Sequence, residues 1–243
     1  RELIWSRFKV KMSLVSVGRL LKKMGLSPQK PLHRAYQQDP ERVQQWLDSE
    51  FPKIKALARK AGANIFFGDE ASVRSDFHSG TTWAPKGQTP IVKTTGARFS
   101  VNMISAISPR GLMRFTTIDG RLNADKFVDF LKRLLHNANQ PIFLIVDGHP
   151  THKSKKVREF IESTEGKLRL FILPPYSPEL NPSELVWNNL KTHRIGRKMI
   201  AGPDDLKRKV ISGLRSLQKM SAKIMGFFNE KHVRYILEEM SGA

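Results

Sequence analysis

Three carboxylates stand at or near the ends of segments that read as regular structure: Asp69, Asp147 and Glu184. Asp147 closes an apolar, β-forming run at 141–146 that is short enough for a buried strand. Glu184 follows the proline-studded turn PPYSPELNP and opens an amphipathic segment. A second apolar run, 168–173, lies between them. If the two runs are neighbouring parallel strands, Asp147 and the loop leading to Glu184 emerge at one sheet edge. Ligands of open α/β sheets bind at that edge, outside the carboxyl ends of the strands. Asp69 ends a third run, 63–67, at Gly68-Asp69-Glu70. Adjacent strand residues point to opposite faces, so at most one of Asp69 and Glu70 can serve a shared site. A turn aspartate is the alternative reading of Asp69.

Clustered oxygen ligands suit Mg²⁺ or Mn²⁺. Two such ions about 4 Å apart can activate a hydroxyl or water and stabilise a leaving oxygen in phosphodiester displacement. Glu184 also has a simpler reading. With Asn181 as N-cap and Pro182 at the first helical position, Glu184 falls third, where a capping-box carboxylate belongs. His149 and His152, three apart but separated by Pro150, could be zinc ligands or contacts to phosphate. No phosphate-binding G-x-x-x-x-G-K-[ST] loop and no G-x-S-x-G elbow occurs. There is no cysteine, which excludes a thiol nucleophile and cysteine-ligated zinc.

The elements that must hold these groups follow from the rest of the chain. Its 243 residues allow one large domain with a small appendage. Lysine and arginine number 42 against 22 aspartates and glutamates, a net charge of +20. Such a surplus points to a polyanionic partner, most often nucleic acid. No apolar run approaches the ~20 residues of a membrane span, no secretory pattern opens the chain, and no membrane partner is expected. The sequence begins with Arg1 in mid-pattern and reads as part of a longer protein.

Residues 1–35 read as short helices: 1–8, then a segment capped by Ser13 and closed by Gly25, with Lys22 and Lys23 in its last turn. Basic ends and a tight turn suggest a partial helix-turn-helix or winged-helix DNA-binding region, with a plain helical hairpin as the alternative. Candidate DNA contacts are Lys11, Arg19, Lys22 and Lys23 here, and Lys153, Lys155, Lys156 and Lys191 beside the acids. Residues 36–62 form a linker helix with Val43, Trp46, Leu47, Phe51, Ile54 and Leu57 along one stripe. Residues 63–200 supply the main domain. It begins with the strand at 63–67 and a Gly-, Pro- and Thr-rich loop at 78–90, in which Trp83 packs on the core or stacks on a base. Paired strands 100–107 and 113–118 follow, joined by the turn Ser108-Pro109-Arg110-Gly111. A helix over 123–135 presents Phe127, Phe130, Leu131, Leu134 and Leu135, and a basic helix covers 152–164. Asp119, Asp125 and Asp129 read as turn and surface carboxylates. Residues 201–243 are C-terminal helices packed on this domain, with breaks near Gly213 and Gly226. The order predicts a mixed α/β sheet with an antiparallel hairpin at one side.

FFGDEASVRSD around Asp69, FLIVDGHPTHKS around Asp147 and LPPYSPELNPSELVWNNLK around Glu184 together resemble the IS630-type transposases of the IS630/Tc1/mariner group. TWAPKGQTP and RFSVNMISAISPRG add to the likeness, which spans essentially the whole chain. The resemblance implies an RNase H-like catalytic domain with a DDE triad of Asp69, Asp147 and Glu184, each a catalytic residue and ligand to divalent metal. It implies Mg²⁺ or Mn²⁺ (two ions), cut-and-paste strand transfer, terminal inverted repeats and a TA target. A homodimer is expected because two ends must be cut and joined, and the expected setting is the bacterial cytoplasm, at the nucleoid. The family's DNA-binding region has two units, of which residues 1–35 resemble the second. An RNase H-like nuclease without strand transfer, and a domesticated DNA-binding protein, are the rival readings.

Overall fold

The structure is a computed structural model that describes residues 1–28, 36–77, 83, 85–88, 91, 97–196 and 199–238. The chain divides into two compact units, Arg1–Tyr36 and Gln37–Ala243.

In the smaller unit, α1 (Glu2–Phe8) and α2 (Leu14–Lys23) form as their caps dictate. The Ser13 hydroxyl accepts the Ser16 N–H at 3.0 Å. Gly25, at φ 78°, lets the Leu26 N–H reach Leu21 O and its own N–H reach Lys22 O, a Schellman closure. None of the residues of α1 and α2 is buried, and Lys11, Arg19, Lys22 and Lys23 are exposed.

The larger unit is built on a five-stranded sheet of order β3-β2-β1-β4-β5. Its strands are β1 (Asn64–Arg74), β2 (Ser100–Ile107), β3 (Met113–Ile118), β4 (Ile142–Val146) and β5 (Leu168–Ile172). β1 is antiparallel to β2 and parallel to β4; β2 and β3 form the expected hairpin, and β4 and β5 the expected parallel pair. Gly111, at φ 79°, closes the hairpin turn with its N–H on Ser108 O at 2.9 Å.

The two faces are buried by different helices. Phe67, Val73, Phe143 and Ile145 face a core shared with α4 (Phe51–Ala61), α7 (Ser183–Asn189), α8 (Pro203–Gln218) and α9 (Ser221–Phe227). Phe66, Leu144 and Val146 face the other core, covered by α5 (Ala124–Leu135) and α6 (Lys155–Ser163). The stripe expected on a linker helix is part of the first core, except Leu57, which is exposed. Running from α3 (Pro40–Gln45) through a π-helical turn at Trp46–Glu50 into α4, it buries Trp46, Phe51, Ile54 and Ala58.

Three expectations change. β1 does not end at Gly68-Asp69-Glu70 but continues to Arg74, because β2 supplies an antiparallel partner for every residue from Phe67 onward. The C-terminal helices expected over 201–243 do not break at Gly213. α8 runs through it, and Gly213 is buried where a Cβ would stand 2.8 Å from Leu190 Cδ1, so the glycine serves close helix approach. Trp83 is fully exposed, not packed on the core; most of its loop lies outside the described residues.

Candidate active site

Alternation along β1 and β4 decides which acids meet. Asp69 follows Phe67 onto the face covered by α7, and Asp147, one residue past β4, continues the alternation of Phe143 and Ile145 onto that same face. Glu184 enters from the first turn of α7. The three carboxylates line one cavity of about 600 Å³, together with Gly148, His149, Lys153, Tyr176 and the prolines of the β5–α7 turn. The sequence thus brought all three expected acids to the edge where the parallel strands end.

The turn before α7 is fastened to β1. The Asn181 amide donates to Gly68 O at 3.0 Å, and the Ser183 hydroxyl donates to Phe67 O at 2.6 Å. One helical turn beyond Glu184, the Trp187 indole N–H donates to Asp69 Oδ2 at 2.8 Å. These bonds fix Glu184 relative to Asp69. The expected capping box does not form. Asn181 Oδ1 accepts from Ser183 N–H at 3.1 Å, while the Asn181 N–H is bonded to Pro178 O. Among the described residues no hydrogen bond reaches the Glu184 carboxylate, which is therefore available for another partner.

The electrostatics are those of crowded anions. Burial, then the neighbouring Glu184 and Glu70, push the Asp69 carboxyl well above the usual carboxylate range, against the opposing Trp187 bond. Glu184 is pushed up by burial, partly offset by Lys191, and raised further by Asp147. Asp147 is held below the usual range, first by its hydrogen bond from His152. An all-oxygen set of acids that disfavour one another's ionisation fits a divalent cation, which would supply the missing positive charge.

Sequence reasoning passed over Trp187, set Glu70 aside as the acid on the other face, and weighed His152 only as a zinc ligand or phosphate contact. Glu70 points to the opposite face of β1, where its Oε1 lies 2.8 Å from His152 Nε2. His152 Nδ1 lies 3.1 Å from Asp147 O and 3.1 Å from Asp147 Oδ1. Glu70, Asp147 and His152 could on spacing hold an ion, with one ligand atom from each within 4.8 Å of the others. Both histidine nitrogens already face carboxylate or carbonyl oxygens, so hydrogen bonding accounts for that trio. Burial disfavours the charged ring, but the bonds to Asp147 and Glu70 outweigh it and push its pKa up to about 10. His149 Nδ1 accepts the Thr151 N–H at 3.3 Å, so the pair does not form the zinc site considered from sequence. The signal that could have found Trp187 is its spacing: three residues after Glu184 puts both on one helix face.

Of the basic candidates near the acids, Lys153 lines the cavity and Lys191 acts on Glu184. Lys155 pairs with Glu159 and Lys156 with Asp125 on the surface. Asp119 and Asp129 likewise pair with Lys207 and Lys132, away from the acids.

A five-stranded mixed sheet, helices on both faces and acids at the end of its parallel strands define an RNase H-like fold. Solved structures agree on that fold. The mariner Mos1 paired-end complex with Mg matches at TM-score 0.63 and 16% identity, covering 99% of this chain and 75% of that one. The catalytic domain of Mos1 mariner transposase matches at TM-score 0.52 and 13% identity, covering 86% of this chain and 100% of that one. The DDE superfamily endonuclease profile matches residues 64–207, and the chain belongs to that family. A winged helix-turn-helix profile matches residues 1–50. The chain is 28% identical over 129 residues to an insertion element IS630 uncharacterized 39 kDa protein of Shigella sonnei, covering 52% of this chain and 37% of that protein. It is 25% identical over 195 residues to the transposable element Tc1 transposase of Caenorhabditis elegans, covering 74% of this chain and 69% of that one. The chain thus spans little more than a third of the Shigella relative.

Proposed function

We propose that this chain is the catalytic part of a DNA transposase of the IS630/Tc1/mariner group, with Asp69, Asp147 and Glu184 as the acids that hold Mg²⁺ or Mn²⁺. The observation that carries this is the convergence of three carboxylates from β1, β4 and α7 on one cavity in a protein of net charge +20. Bound divalent metal, two ions in this reading, would activate the attacking hydroxyl and stabilise the leaving oxygen of a phosphodiester. The chain's own residues hold the acids in register: Trp187 on Asp69, Asn181 and Ser183 on the β1 backbone, His149 N–H on Asp147 Oδ1 at 3.0 Å.

The substrate is double-stranded DNA, as terminal inverted repeats cut from their flanks and joined at a TA target. Lys11, Arg19, Lys22 and Lys23 contact it through the winged-helix unit; Lys153, Lys155, Lys156 and Lys191 contact the phosphates near the acids. The working form is a homodimer, since two ends are processed together. It acts in the cytoplasm, at the nucleoid. No helix among the described residues is long and apolar enough to cross a membrane.

The test is nicking of end-containing duplex DNA with Mg²⁺, followed by joining of cleaved ends to a target plasmid. Wild type nicks and joins, and Asp147→Ala does neither. Equal cleavage by both would sink the assignment, and nicking without joining would favour a plain nuclease.

A further inference from the structure

β1 presents two adjacent acids to opposite faces, and only one of them lines the cavity. The other, Glu70, is not idle. Its carboxylate bonds His152 Nε2 at 2.8 Å, and Nδ1 of the same ring lies 3.1 Å from both the Asp147 backbone O and its carboxylate Oδ1. The His152 side chain is fully buried, while those of Glu70 and Asp147 are 21% and 54% exposed. The ring is wedged beside Phe127, with centroids 4.4 Å apart. Because that packing fixes the ring plane, both nitrogens have fixed directions. Asp147 lies just past the end of β4, where the ladder no longer restrains it and half its side chain faces solvent. His152 and the His149 N–H are the groups that orient its carboxylate.

We propose that Glu70 and His152 are positioning residues for the metal site: Glu70 anchors His152 from beneath the sheet, and His152 aims the Asp147 carboxylate into the cavity. This rests on the reading of Asp147 as a metal ligand. Hydrogen-bonding partners of a ligating side chain fix its orientation, and losing one costs about 10- to 100-fold in metal affinity. Neither residue lines the cavity itself. The chain's two-sided use of Asp69 and Glu70 gives the dipeptide two jobs, one on each face.

The experiment is Mn²⁺ titration of the whole chain by calorimetry, paired with thermal melting of metal-free protein. Wild type binds and Asp147→Ala loses binding. His152→Ala and Glu70→Ala each weaken Mn²⁺ by about tenfold or more. The double variant is no weaker than His152→Ala alone, because the two act in series. Glu70→Gln, which keeps an acceptor oxygen for the ring, restores binding to within a few-fold of wild type. If His152→Ala does not fold, Glu70→Ala and Glu70→Gln still decide, since that side chain is partly exposed. Folded Glu70→Ala protein with wild-type Mn²⁺ affinity, beside an Asp147→Ala that has lost it, overturns the positioning role. If Asp147→Ala binds Mn²⁺ like wild type, the metal-site reading itself has failed and takes this proposal with it.

Discussion

Asp69 occupies the most adverse electrostatic position in the site. Its carboxyl is held well above the usual range by burial and by Glu184 and Glu70. A folded-state pKa raised above the unfolded value means that the native state binds the proton more tightly. Asp69 therefore lowers stability increasingly as pH rises from the unfolded value through the raised one. Asp69→Asn is expected to raise the Tm of metal-free protein at pH 7–8 while abolishing nicking. The gain should vanish at a pH low enough to protonate Asp69 in both states. A fall in Tm at neutral pH would contradict the crowding described here. If Asp69 ligates metal as proposed, protonation competes with the ion, so Mn²⁺ affinity should weaken as pH falls through that raised pKa. Trp187→Phe keeps the ring and removes the 2.8 Å N–H bond to Asp69; it should weaken Mn²⁺ about tenfold with little change in fold, read by calorimetry. The three acids were legible because each terminates or follows a readable apolar run. The Glu70–His152 bond was not, because it joins residues 82 apart in sequence, and the spacing of His149 and His152 suggested a zinc pair instead.

At the scale of elements, register and close approach do most of the positioning. The strand–helix–strand order, the parallel β4–β5 pair and the hairpin turn could be read from period and turn chemistry. The length of β1 could not, since Gly68-Asp69-Glu70 looks like a terminator until β2 pairs with it. Nor could the role of Gly213, whose place against Leu190 depends on two segments meeting in space. Gly213→Val should destabilise the fold by about 1–3 kcal/mol through overpacking of α8 on the turn following α7, checked by denaturant unfolding. Gly111 tests the hairpin differently. Its φ is 79°, and a Cβ there would lie 2.9 Å from Ser221 O, a backbone atom that cannot swing aside. Gly111→Ala should cost about 1–3 kcal/mol from left-handed strain and that contact together. A neutral Gly213 result would mean that α8 has room to move off Leu190, and a neutral Gly111 result that the hairpin turn can shift from α9 and tolerate the left-handed residue.

For the molecule as a whole, the proposed function gives the N-terminal unit DNA binding and the larger unit catalysis, and that division is testable. Lys22→Glu with Lys23→Glu should weaken binding to end-containing duplex and flatten its salt dependence by about one unit of slope per lost phosphate contact. Mn²⁺ binding should be unchanged. A parallel loss of Mn²⁺ affinity would show that the charges act on the fold and not on DNA. The fastening of α7 to β1 has a consequence in time. Trp187 and Asp69 are 118 residues apart, and the Ser183–Phe67 and Asn181–Gly68 bonds close loops of similar length. Contacts of such separation form only after the intervening chain has been made and has paid its loop-closure entropy. A nascent chain released from the ribosome as far as β5 carries Asp69 and Asp147 but not Glu184, and no indole to steady Asp69. The three-acid site is thus a late product of synthesis. If the proposed function holds, truncated or half-folded copies of this strongly basic protein would still be drawn to nucleic acid, without the means to break it.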